Sequence, residues 1–216
     1  MNYKKKNVFV IVLVLLLLLS ASLGVSFAYL TKSLESRANN FTFSNVSIDL
    51  VEEEWDSLTP EDKVVYPNRN VVKDPKVINT GENDIYVYIE VKVPRGNIKT
   101  VNTDETVNAS GWTNLLTFVV NQGWELIDQS VSDDGLYEIR LYAYTDSVLK
   151  PNEETKTLFD KVTFVNMLEG ELEKGTELEM PVSAYAIQSD YLDEQGSTVK
   201  DKMAGAFEKY KAETQR

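Results

Sequence analysis

The 216-residue sequence contains no cysteine and no histidine. Each absence closes off a class of chemistry. Without cysteine there are no disulfides, so a domain working outside the cell must draw its stability from its core. Without histidine, serine–histidine and cysteine–histidine catalysis are excluded, and so are zinc sites of the H-E-x-x-H kind. Carboxylate-pair chemistry of the glycosidase type survives this filter. Basic charge is scarce as well: 22 Lys and Arg face 34 Asp and Glu, a formal net charge of −12. Such a surface argues against nucleic acid and anionic membranes as partners. There is no D-x-D-x-D-G loop. The acidic runs Glu52-Glu53-Glu54 and Asp133-Asp134 therefore read as solvated surface before they read as oxygen ligands for calcium. No cofactor and no metal is expected, and the chain is not expected to be an enzyme.

Against this polar background one apolar run stands out. Lys4, Lys5 and Lys6 precede an unbroken apolar stretch from Val8 to Leu19, and small residues then lead to Ser26-Phe27-Ala28. Ser26 and Ala28 occupy the −3 and −1 positions of an A-x-A-like cleavage site, with the cut before Tyr29. The competing reading is an uncleaved anchor, because no charge separates Lys6 from Lys32. The strongly apolar part is short for that role and its tail is rich in Ser, Ala and Gly. Residues 1–28 are thus expected to be a secretory signal peptide and the mature chain to be secreted, at the cell surface or in a matrix. Cleavage removes three lysines and no acid, so the net charge falls to −15.

The mature chain divides by pattern. Residues 29–40 are polar and aperiodic, a mobile leader. Residues 41–195 carry eight strand-like segments, which predict an all-β domain: a jelly-roll-like antiparallel sandwich. Phe41, Phe43, Val46, Ile48 and Leu50 alternate, with a bulge expected near Ser44-Asn45. Residues 52–70 read as a loop anchored by Trp55 and Tyr66. Val71–Asn79 and Asp84–Val93 read as two strands joined by a turn at Thr80-Gly81-Glu82-Asn83. In the second strand Ile85, Val87, Ile89, Val91 and Val93 share one face, and Tyr86, Tyr88, Glu90 and Lys92 the other. Pro94 is expected to end that strand and residues 95–114 to form a long loop. Further strands are expected at Leu115–Val120, Trp124–Ser130, Leu136–Thr145, Thr157–Phe164 and Leu178–Ile187, with a hairpin turn at Ser132-Asp133-Asp134-Gly135. Residues 196–216 hold a C-terminal amphipathic helix, with Val199, Met203, Phe207 and Tyr210 at helical spacing and a Thr198–Asp201 cap.

Three stretches carry a resemblance to a known family. They are Ser26-Phe27-Ala28-Tyr29-Leu30-Thr31 with the later Asn40-Phe41-Thr42-Phe43 and Val46–Leu50; Lys73-Asp74-Pro75-Lys76-Val77-Ile78-Asn79-Thr80-Gly81-Glu82-Asn83-Asp84 running into Ile85–Val91; and Leu149–Thr155 with Leu158-Phe159 and Val182–Gln188. The chain resembles exported proteins of the TasA/camelysin type. The resemblance implies removal of the signal segment by a SipW-type signal peptidase, a jelly-roll fold and no small-molecule active site. The best understood members form biofilm-matrix fibres. Camelysin-like members have been described as metalloproteases, a role from which this histidine-free sequence departs.

Two further functional expectations stand beside each other. In the first, the chain is a structural protein that self-associates into fibres: Tyr29, Leu30, Phe41, Thr42 and Phe43 form a donor strand that fills an open groove of the next subunit. The same segment could equally be the domain's own first strand. In the second, the chain is a module that binds a glycan or a cell-wall or matrix polymer, through Tyr86 and Tyr88 or through a platform of Trp55, Trp112 and Trp124. A carboxylate-based hydrolase would require two facing carboxyl groups in a cleft.

Overall fold

The computed structural model describes residues 46–172, 176–189 and 198–214. The segment expected to be a signal peptide, the cleavage residues expected at Ser26, Ala28 and Tyr29, and the donor residues expected at Tyr29, Leu30, Phe41, Thr42 and Phe43 lie outside the described residues, as does the bulge expected at Ser44-Asn45. The described part is mostly β, with antiparallel sheets that curl into a half-barrel and one C-terminal helix. Its strands are β1 (Ile48–Val51), β2 (Asn70–Val72), β3 (Lys76–Asn79), β4 (Ile85–Ile98), β5 (Gly111–Asn114), β6 (Leu116–Phe118), β7 (Trp124–Val131), β8 (Tyr137–Tyr144), β9 (Lys161–Phe164) and β10 (Val182–Gln188). They form three sheets: β1-β3; β10-β4-β8-β7, with β5 also on β4; and β2-β9-β6.

The main core is what the alternation of β4 dictates. Ile85, Val87, Ile89, Val91 and Val93 are at most 1% exposed, and they pack with Val77, Leu149, Leu158, Phe159 and Phe164. Tyr88 departs from the polar face predicted for it. It is fully buried in a second cluster with Leu141, Ala143, Met203 and Phe207. The C-terminal helix Val199–Thr214 covers that side of the sheet, and the Tyr88 hydroxyl donates to the Met203 carbonyl at 2.8 Å. The cap forms as predicted: Thr198 N–H donates to Asp201 Oδ2 and Asp201 N–H to Thr198 Oγ1. Met203 and Phe207 of the helical stripe are buried, whereas Val199 and Tyr210 remain exposed.

Four other expectations are corrected. Val71–Asn79 is two strands, not one, and they belong to different sheets: β2 pairs with β9 and β3 with β1. The turn at Thr80–Asn83 therefore joins β3 to β4 without making them a ladder. Residues 52–70 include a short helix, Glu53–Ser57, whose first N–H groups donate to Asp74. Pro94 does not end β4. The strand changes partner there: the Pro94 carbonyl accepts from Leu115 N–H while Arg95 N–H donates to Leu136. A proline is tolerated where no ladder N–H is needed. Beyond it, Arg95–Ile98 pairs with β5, so the predicted 95–114 loop is a hairpin with its tip at residues 99–110. The hairpin turn at Ser132–Gly135 stands as predicted, with Gly135 at φ +73° and its N–H donating to Ser132.

Candidate functional site

The Lys73–Asp84 stretch is largely a scaffold. Asp74 caps the short helix through both carboxylate oxygens, at 3.0 Å to Glu54 N and 3.1 Å to Trp55 N. The Pro75 carbonyl accepts from Leu158 N–H. Fully buried Asn79 donates from Nδ2 to the Asn83 and Leu149 carbonyls and accepts from Gly81 N–H, so one side chain ties a turn to two chain segments. Buried Thr155 accepts from Val77 N–H. Lys73 differs, because its side chain faces a cavity.

That cavity is an apolar groove of about 930 Å³. Val71 of β2, Val162 of β9 and Leu116 of β6 form its floor; Trp55, Leu58, Lys63 and Val65 form one wall and Thr176–Pro181 the other. Lys73 Nζ lies 2.7 Å from Glu52 Oε2 and 4.7 Å from the centre of the Trp55 ring, over which Lys63 Nζ also sits at 4.5 Å. Glu52 Oε1 is buried with no hydrogen-bond partner among the described residues.

The wall at residues 177–180 is unusual. Sequence periodicity predicts a strand from Leu178, but β10 starts at Val182. The cause lies in β4. Lys92 N–H donates to the Pro181 carbonyl, and two residues on, the Pro94 carbonyl is taken by Leu115. The edge along which β10 would extend is therefore occupied by another segment. Glu177–Met180 keeps a period of two, with Glu177 and Glu179 exposed and Leu178 and Met180 packed on the core, yet it forms no backbone hydrogen bond among the described residues. On the groove floor, β2 is an edge strand. The site thus joins apolar surface to backbone N–H and C=O groups that have no strand partner among the described residues, the combination that accepts an extended peptide.

The other residues singled out in the sequence do not gather. Tyr88 is buried beneath the C-terminal helix, so it cannot stack on a glycan, and Tyr86 is half-buried beside the same cluster. Trp55 lines the groove, Trp124 is buried with its Nε1 donating to the Lys156 carbonyl, and Trp112 is exposed beside Arg95 on the β5 hairpin. The three tryptophans form no platform. Glu52 and Glu53 pair with Lys73 and Lys76, and Asp134 closes its own turn through Ser132 and Leu136. Among the described residues no three acidic side chains converge as metal ligands would. The acids on the groove lining, Glu177 and Glu179, share one segment. Sequence reasoning missed the groove because its parts are far apart in the chain. The signal that could have found it is the conflict between the strand pattern at Leu178–Met180 and the proline at position 181. Comparison with family models, curated proteins and solved structures finds no match to this chain.

Proposed function

We propose that this chain is an exported structural protein of the cell surface or biofilm matrix, with a jelly-roll-type body, which self-associates into fibres by strand addition. The observation that carries the reading is the apolar groove beside the backbone of Glu177–Met180, which pairs with no strand among the described residues. Its occupant is the N-terminal segment of a second copy, freed by a SipW-type signal peptidase, whose sequence offers Phe41 and Phe43 as apolar side chains for the groove. The resemblance to TasA/camelysin-type proteins points the same way.

Topology favours a second copy over the chain's own leader. Val46 enters β1 at the end where Ile48 pairs with Asn79 and Thr80 N–H donates to Ser47. The groove lies past the opposite end, beyond Val51 and Lys73. A leader inserted into the groove of a second copy, and repeated from copy to copy, would make a head-to-tail contact that does not close, as a filament requires.

The test uses mature protein beginning at Tyr29, a variant lacking residues 29–40, and Thr42→Pro, which removes a ladder donor without changing charge. Sedimentation and electron microscopy should show filaments of the mature protein, none of the deletion variant and fewer of Thr42→Pro, with similar far-UV circular dichroism for all three. Filaments of normal length from the deletion variant, or a mature protein that stays monomeric across concentration, pH and salt, would overturn strand addition. The second outcome would favour the polymer-binding reading.

A further inference from the structure

Resting on the strand-addition reading, we propose that the buried Lys73–Glu52 ion pair is the polar anchor of the groove, gripping a backbone carbonyl of the extended segment inserted by a second copy. An apolar slot satisfies the side chains of such a segment but not its peptide groups, and each peptide group buried without a partner is costly. The backbone of Leu178–Met180 can pair with one edge of the segment. Lys73 is the charged side chain that is buried on the groove lining, 7% exposed. Its ammonium has three donors, of which one reaches Glu52 Oε2 at 2.7 Å. The Trp55 ring lies beneath the same ammonium, 4.7 Å from Nζ to the ring centre, and favours the cation there. Glu52 Oε1, buried and unpartnered among the described residues, marks the same spot as under-satisfied. A buried ion pair is weak support for stability on its own, since apolar replacements of both partners are often neutral or better. Asp74 and Pro75 beside it are fully explained by the short helix and by Leu158; Lys73 is the member of that run aimed at the groove.

The test is the double variant Glu52→Leu/Lys73→Met in the full mature chain, which leaves no charge unpaired. It should melt at or above the wild-type temperature, while the concentration needed for assembly, read by sedimentation, rises roughly ten- to a hundredfold. A purely structural pair predicts no change in that concentration, and assembly of the double variant at the wild-type concentration overturns the anchor. Should the variant fail to fold, acylation of wild-type Lys73 by acetic anhydride, followed by peptide mass spectrometry, decides. The rate should fall at least tenfold from monomer to assembly, and an unchanged rate overturns the proposal. If removal of residues 29–40 abolishes assembly but the double variant assembles normally, the anchor falls and strand addition stands. If the deletion variant also assembles normally, both fall.

Discussion

Replacing Asn79 by alanine is the sharpest probe of how this fold is tied together. The side chain is fully buried and makes three hydrogen bonds to backbone: 2.8 Å to the Asn83 carbonyl, 3.0 Å to the Leu149 carbonyl and 3.0 Å from Gly81 N–H. Of these groups, the Leu149 carbonyl keeps a second donor, Ile85 N–H at 3.0 Å. At about 1 kcal/mol for each hydrogen bond, with a further term where a buried partner is left unsatisfied, Asn79→Ala should cost about 3 kcal/mol. In a domain of this size that corresponds to a fall in melting temperature of roughly 6–12 °C. Urea unfolding followed by tryptophan fluorescence gives the free energy directly. Asn79→Asp should be at least as damaging at neutral pH, because a carboxylate would face two carbonyl oxygens with no proton to donate. A loss below about 1 kcal/mol for Asn79→Ala would refute the assignment of Asn79 as the tie between the Thr80–Asn83 turn and Leu149.

Three other outcomes are expected. Gly205 sits inside the C-terminal helix with open space where a Cβ would stand, so Gly205→Ala should stabilise by about 0.5–1 kcal/mol, measured as a raised melting temperature. The Asp134 carboxyl is held below its usual value of 3.8, first by the Ser132 hydroxyl and then by Leu136 N–H. A depressed folded value means that its contribution is present above the unfolded value and lost as the pH falls through the folded one. Asp134→Asn should therefore melt with less pH dependence than wild type below about pH 4, and an unchanged slope would contradict this. Mass spectrometry of the secreted protein should find an N-terminus at Tyr29; recovery of full-length chain in membranes alone would establish the anchor instead.

The strands that were legible in the sequence are those whose two faces meet different surroundings. Alternation in β4 named the core side of the sheet correctly because Ile85, Val87, Ile89, Val91 and Val93 all face it. The same pattern failed for Tyr88, since a period of two cannot tell solvent from a helix arriving more than a hundred residues later. Pro94 was misjudged because the rule against proline in strands assumes a single partner, and β4 changes partner at that residue. The split of Val71–Asn79 into β2 and β3 was hidden because Val71, Val77 and Asn79 are all buried, whichever sheet they join. The groove was illegible for a related reason: Trp55, Val71, Leu116, Val162 and Leu178 converge only once three sheets are in place. The Lys73-Asp74-Pro75 run was visible as a pattern, but its separate jobs, in ion pair, helix cap and backbone tie, follow only from position.

The absence of cysteine offers the most direct test of strand addition, because any introduced thiol is unique. Two mature single-cysteine variants, Phe43→Cys and Leu178→Cys, would be mixed under assembly conditions, oxidised mildly and resolved by non-reducing electrophoresis and mass spectrometry. Insertion of one copy's leader beside Glu177–Met180 of another predicts a disulfide joining the two different variants, well in excess of either homodimer. A double variant with both cysteines in one chain should then give a ladder of linked subunits. If the mixed disulfide does not form, and the double variant closes only within its own chain, the leader is the domain's own strand and assembly by strand addition is wrong.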